Sequence, residues 1–350
     1  MDILIFVVAL SILVLVHEFG HYFAARITKV KVEEFGLGLP PRMIGKKIGE
    51  TMWSLNWLPI GGFCKLYGED GDKKGGRAFN NKNPWQKALI VLGGVLMNLV
   101  LAVVIFTTVY AVMGIPQETD RVKIIGVADN TPAQEVGLEV DDWVKKVGEV
   151  EIKDQNKLIE EMGKYKGEKV EVLVEKSNGE EKSYELEVRE NPPKGEGATG
   201  IVISSTEMVK VPWYQFYKGI GAGFEEAYFW GKIIFSGVTQ MIGSLFMGEV
   251  PKDVSGPIGM FEATSSIRNN QGFLAVIHFF GIVSVNLAIV NILPFPALDG
   301  GRIIFVIYEM IFRKRANEKF EVVVNNIGML ILLTLLVLIT VGDVSRLIRN

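Results

Sequence analysis

Metal-binding and cross-linking residues are scarce in this chain. Its 350 residues include one cysteine and three histidines. A single cysteine, Cys64, excludes an internal disulfide framework and a cysteine-rich zinc knuckle; it reads as a small packed residue. Excess positive charge is absent as well. The net charge is -3, with no basic run and no interleaving of aromatic and basic residues, which argues against a nucleic-acid partner. Charge is missing altogether from Ala88 to Ile115, from Gly272 to Leu298 and from Val322 to Gly342. Each of these runs is long enough to cross a bilayer. At 350 residues the chain allows two or three domains, or one membrane domain with an insert, and 49% hydrophobic residues with a mean hydropathy of +0.27 is high for a wholly soluble protein.

A fourth apolar stretch, from Ile3 to about Ala25, is interrupted only by His17, Glu18 and His21. A cleaved signal peptide fits poorly there, because Asp2 stands where a basic segment is needed. Ile233 to Gly248 is also apolar, but it is short and preceded by Glu225, Glu226 and Lys232, so it reads as an interfacial or packing helix. Twelve Lys and Arg lie between Arg26 and Lys87, and five more between Arg302 and Lys319. Basic loops stay in the cytoplasm. Four spans follow, with both termini and the region from about Gln117 to Lys210 outside the cytoplasm.

The chemistry sits in "VLVHEFGHYF", Val14 to Phe23. Polar groups at membrane depth are expensive and usually functional. Residues four apart share a helix face, so His17 and His21 can point at one ion. A hydrolytic zinc site needs three protein ligands and an open position. His17 lies about 20 Å along a helix that starts outside, whereas His278 lies near the outer start of the third span, so His278 is assigned to packing. Asp299, in "NILPFPALDGG", adjoins the inner end of that span, after Pro294 and Pro296 break the helix. Irregular backbone at membrane depth is tolerated where it lines a site. The competing reading of Asp299 is a helix N-cap. Parity favours the ligand: if Ile233 to Gly248 also crossed, Asp299 would end on the outer face, away from the histidines.

His17-Glu18-Phe19-Gly20-His21, together with Asn291-x-x-Pro294-x-Pro296-x-Leu298-Asp299-Gly300, resembles the site-2 protease family of intramembrane metalloproteases. The likeness covers essentially the whole chain and is greatest to the bacterial sigma-E-regulator protease type, with a PDZ insert. The resemblance implies zinc held by His17, His21 and Asp299, with Glu18 as the catalytic base. It favours substrate-backbone binding by Asn286 and Asn291, which otherwise read as helix–helix hydrogen-bonding groups. The segment from Glu34 to Asp70 reads as a membrane-associated β-hairpin. In the family such a sheet is thought to hold substrate as an added strand; a purely structural cap is the alternative. "VSGPIGMFEA", Val254 to Ala263, resembles a family segment packed near the active site.

In the insert, strands at Lys123 to Val127, Val170 to Val174 and Tyr184 to Val188 surround a helix near Gln155 to Met162, with a turn at Ser177 to Glu181. "NTPAQEVGLEVDDWVKKVGEVEI" resembles a PDZ pattern, with Asp141-Asp142 in place of the usual Gly-Asp. Such folds bind extended peptides at a sheet edge, so a peptide ligand and a size filter both remain open.

The expected architecture is therefore a bundle of four transmembrane helices with a cytoplasmic-side β-hairpin and an extracytoplasmic α+β PDZ domain. The expected divisions are a first membrane half (1–116), the insert (117–210), packing helices (211–271) and a second membrane half (272–350). The chain is expected to be a multi-pass protein of the cell (inner) membrane, and the expected activity is zinc-dependent cleavage within the transmembrane segments of single-span membrane proteins, with anti-sigma factors and signal-peptide remnants as examples. Two rivals are a non-catalytic receptor or chaperone, against which the intact Glu18 argues, and a metal transporter, against which the single ligand cluster and the insert argue.

Overall fold

The computed structural model describes residues 2–69, 75–193, 197–210, 212, 216–247 and 256–349. The chain divides into two compact units, one made of residues 1–109 and 219–350, the other of residues 110–218.

Among the described residues, four helices are long and apolar enough to cross a membrane. They are α1 (Asp2–Ile27), α2 (Pro84–Met113), the helix Phe273–Ile292, and the span Lys319–Ser345 within the helix Glu318–Arg349. Their side chains are apolar all round, and many stay exposed, as lipid-facing residues do. Between α1 and α2 run two long antiparallel strands, β1 (Val32–Ile48) and β2 (Thr51–Leu66). These go beyond a simple hairpin. Register shifts fold the pair back on itself, so that residues 34–37 pair with 52–55 on one side and with 62–65 on the other. The segment 62–66 is left as an outer edge that no other described strand pairs with.

The second unit holds a six-stranded sheet. Its strands are β3 (Ile115–Val127), β4 (Trp143–Val147), β5 (Val150–Glu151), β6 (Lys169–Glu175), β7 (Glu181–Glu187) and β8 (Ile201–Val209). The order is β7-β6-β4-β3-β8, with β5 on β4. Two short helices, α3 (Pro132–Glu135) and α4 (Gln155–Gly163), complete it, and Asp154 caps α4 by accepting the Lys157 N–H at 2.7 Å. Alternating residues such as Val170, Val172 and Val174 meet Val122, Ile124 and Leu186 in one core. Compared with the expected insert, β3 starts earlier, and β4 and β8 are strands not read from the sequence. The Asp-Asp departure also has a local account. Asp141 takes φ +78°, a conformation that glycine adopts most easily, while buried Asp142 accepts the Glu139 N–H and pairs with Lys176 at 2.9 Å.

The connection back to the first unit differs from the expectation. The helix α5 (Phe216–Phe246) has 31 residues, starting well before Ile233, and it absorbs Glu225, Glu226 and Lys232. Glu226 accepts the Trp230 indole N–H at 2.8 Å and lies 3.1 Å from His278 Nε2. Next comes α6 (Pro257–Gln271), then the third span, here α7 (Phe273–Ile292), α8 (Asp299–Phe312) and α9 (Glu318–Arg349). Val254 and Ser255 of the "VSGPIGMFEA" stretch lie outside the described residues. The rest of that stretch begins α6.

Both ends of the chain converge on α6. Asp2 pairs with Arg268 at 2.8 Å and accepts the Ser265 hydroxyl at 2.8 Å. Asp343, buried near the end of α9, accepts the N–H groups of Gly256 and Gly259, both at 3.0 Å. A carboxylate at a helix N-terminus satisfies donors that the helix itself cannot pair, and it meets the positive end of the helix dipole. Replacing Asp343 with Ala strands two donors, one buried and one part-buried. It should lower stability by about 2 kcal/mol, read as a lower melting temperature of the purified protein in detergent. An unchanged melting curve would show that α6 does not depend on this cap.

Candidate metal centre

The site forms where α1 and α2 touch. A side chain on Gly20 would overlap the Gly93 carbonyl, and one on Gly93 would meet the Gly20 carbonyl at 2.5 Å. Small residues let membrane helices approach to backbone contact. One residue further on, a Cβ at Gly94 would lie 2.6 Å from both the His17 and His21 rings. The two imidazoles fill that space, one helical turn apart, with ring centroids 4.8 Å apart and planes at 84°.

The outer nitrogen of each ring is held by α2. His21 Nδ1 lies 2.9 Å from the Ile90 carbonyl oxygen, which can only accept, so Nδ1 carries the proton and Nε2 is left with a lone pair. His17 Nδ1 lies 3.3 Å from the amide of Asn98, a fully buried residue whose Oδ1 has no partner among the described residues. The two ends of an Asn amide are assigned from its surroundings. Turning this one over lets Oδ1 accept the His17 Nδ1–H and gives the orphan oxygen its bond. Both rings then present Nε2 inward.

Asp299 meets them from the other half of the chain. After α7 ends at Ile292, the irregular segment 293–298 leads into α8. Gly300 lies against the carbonyls of Ile292 and Leu293, and Gly301 against that of Phe295, where any side chain would clash. This tight reversal brings Asp299 Oδ2 to 3.1 Å from His17 Nε2 and 3.4 Å from His21 Nε2. Asp299 stands in the first turn of α8, but the N-cap position belongs to Leu298, so its carboxylate is not the cap. One ligand atom from each of the three residues lies within 4.8 Å of the others.

A cation fits this arrangement. Asp299 Oδ2 is buried and makes no hydrogen bond, and two nitrogen lone pairs face it. Three electron-rich atoms held this close repel one another unless a positive charge lies between them. Two imidazoles and one carboxylate form a donor set that suits zinc.

Glu18 lines the same cavity, of about 560 Å³, together with Gly62, Cys64, Asn291 and Arg302. The outer edge 62–66 of β2 therefore forms one wall. Cys64 lies on that wall, where burial pushes its thiol above the usual range and keeps it protonated. Arg302 is ion-paired with Glu69 at the cavity's margin. Among the expected substrate-contacting residues, Asn291 reaches the cavity, whereas Asn286 is not among the residues lining it. His278 packs on Phe106 and pairs with Glu226, remote from the three ligand candidates. Asn98 had not been singled out in the sequence; its signal is one strongly polar side chain in an otherwise apolar span.

Polytopic apolar helices enclosing a His-x-x-x-His pair, a facing carboxylate and a free glutamate define a membrane-embedded metallopeptidase class of site. The comparison with known sequences agrees. Residues 5–335 match the sequence profile of Peptidase family M50, and the chain belongs to that family. It is similar to a candidate zinc metalloprotease of Clostridium acetobutylicum, 32% identical over 98% of this chain and 97% of the relative. A candidate zinc metalloprotease of Clostridium perfringens is 33% identical over 98% of both chains. One of Fusobacterium nucleatum is 30% identical over 99% of both.

Asn98 gives a test of the outer shell. Asn98→Leu leaves His17 Nδ1 unpartnered and should weaken retention of a divalent metal by about 10–100-fold, measured by chelator competition on purified protein. Retention equal to wild type would show that the ring needs no such support.

Proposed function

We propose that this chain is a zinc-dependent intramembrane endopeptidase that cleaves single-span membrane proteins. The observation that carries the reading is the convergence of His17, His21 and Asp299 beside Glu18 in one cavity, with His17, Glu18 and His21 on a membrane-spanning helix. His17, His21 and Asp299 are the proposed ligands, and zinc is the metal named for the relatives. Bound there, zinc supplies a Lewis acid that polarises the scissile carbonyl and makes water acidic enough to attack at neutral pH.

The remaining steps belong to side chains and backbone. Glu18 takes a proton from the attacking water and delivers it to the departing amine nitrogen. The unpaired edge 62–66 offers backbone groups in a row beside Glu18, which suits a substrate bound as an added strand. Strand pairing also answers a chemical need, because a helical amide is hydrogen-bonded and shielded from attack. Asn291 can hold a substrate carbonyl from the opposite wall, as the family resemblance suggests. Asn286 would act less directly, through the packing of α7.

The basic loops support a multi-pass protein of the cell membrane with its active site toward the cytoplasmic side and both termini outside. The unit of residues 110–218 is read as an extracytoplasmic PDZ-like domain. Inserted between the second and third spans, it filters substrates by size or captures a peptide end; filtering suits regulated proteolysis, in which a first cut outside trims the substrate. The sigma-E-regulator type, with anti-sigma factors or signal-peptide remnants as substrates, is the resulting specific reading. The lipid bilayer is the other partner, and no nucleic acid is involved.

The principal test is Glu18→Gln, which keeps the ligands and removes the base. Cleavage of a transmembrane reporter should fall at least about a hundredfold, with zinc content unchanged. Full activity in this variant would refute the assignment. Reporter fusions after Lys82 and after Lys314 should read cytoplasmic, and one after Lys153 extracytoplasmic; an outer location at Lys314 would reverse the topology. Deleting residues 122–188 should leave a trimmed substrate cleavable and admit untrimmed ones, whereas slower cleavage of the trimmed substrate would favour peptide capture.

A further inference from the structure

We infer that Asn325, on the fourth span, is a positioning residue that sets the place of Asp299 through the backbone at Ala297. This rests on the reading of Asp299 as a metal ligand. In the irregular segment 293–298 the N–H groups of Leu293, Phe295 and Leu298 find backbone acceptors at Val290, Leu293 and Phe295, and that of Ala297 turns instead to a side chain. The φ of +72° at Ala297 is one that residues with a Cβ seldom adopt, so the surroundings must hold it there. The Ala297 N–H donates to Asn325 Oδ1 at 3.3 Å. Asp299 follows two residues later.

A second contact from the same helix falls on the neighbouring residue. A Cβ at Gly328 would lie 2.5 Å from both Cβ and the carbonyl oxygen of Pro296. Residues 325 and 328 share a helix face, so α9 grips two consecutive residues of the segment, one by hydrogen bond and one by bare backbone. Much of α9 is otherwise exposed, with Leu330, Leu333 and Leu338 facing outward. An amide in a lipid-embedded helix has to find a partner, and here the partner is the segment that carries the third ligand candidate. The fourth span thus supplies no ligand of its own, yet it fixes the distance between Asp299 and the two histidines.

The test measures zinc retention by chelator competition on the purified full-length protein. Asn325→Leu removes the acceptor at similar volume and should weaken zinc binding at least about tenfold, as loss of a ligand-orienting partner does. Asn325→Asp keeps an acceptor oxygen in place and should hold zinc close to wild type. Gly328→Ala, with Asn325 intact, pushes Pro296 away and should lower zinc affinity in the same way. Wild-type zinc affinity in Asn325→Leu overturns the proposal, as does an Asp variant that falls as far as the Leu variant. If Asn325→Leu fails to fold, Gly328→Ala carries the test, and wild-type affinity there overturns it. His21→Ala is measured alongside: zinc retained in that variant shows that the ligand reading itself has failed, and the role of Asn325 with it.

Discussion

Backbone contact between α1 and α2 is the constraint on which the rest of the site depends. Lipid tails offer no hydrophobic drive for two apolar helices to associate, so closeness has to come from shape. Gly20 and Gly93 provide that shape, each occupying space that a side chain on the other would need. Once the helices touch there, the Ile90 carbonyl and the Asn98 amide lie beside the outer nitrogens of His21 and His17. The rings cannot turn, and their remaining nitrogens face the same point.

The opposite side of the centre is built by the reverse strategy. A regular helix supplies two ligand candidates by periodicity, while a broken one supplies the third by reversal. The segment 293–298 lets the chain leave the third span and turn sharply, and Gly300 and Gly301 allow the turn to close on the carbonyls behind it. Regular and irregular backbone meet at one cavity, and the free edge of β2 borders it. Two interruptions of regular pairing therefore face the same interior, a helix break and a strand edge. Each is tolerable at membrane depth only beside polar groups or water.

Legibility in the sequence followed the range of the interaction. His17 and His21 share a helix face, as their spacing of four implies, and Asp299, expected from the helix break before it, lies beside both. Three of the four long apolar helices were readable from missing charge, and the first from an apolar run interrupted only by His17, Glu18 and His21. Asn98 and Asn325 were not singled out, since a lone amide in a span does not show which distant group it meets. Asn286 was grouped with Asn291 because both are polar and near the break. Five residues of helix rotate a side chain by about 140°, enough to turn one away from the cavity that the other lines. The start of α5 was hidden because Glu225, Glu226 and Lys232 resemble a helix boundary, whereas Trp230 and His278 accommodate Glu226 within the helix. The doubling of the β1–β2 sheet was hidden because its register shifts interrupt the alternation that marks a strand.

The carboxylate of Asp343 has a consequence for how the molecule is made. The N–H groups of Gly256 and Gly259 leave the ribosome 87 and 84 residues before the oxygen that will accept them. A buried donor without an acceptor is costly, so the N-terminal end of α6 gains its partner only once Asp343 has been made. Asp2, at the opposite end of the chain, waits on the same helix for Ser265 and Arg268. The bundle closes as a ring in which the first and last spans are fastened to a common strap. His17, His21 and Asp299 all precede Asp343 in the chain, so the three prospective ligands are made before the contact that closes the scaffold around them.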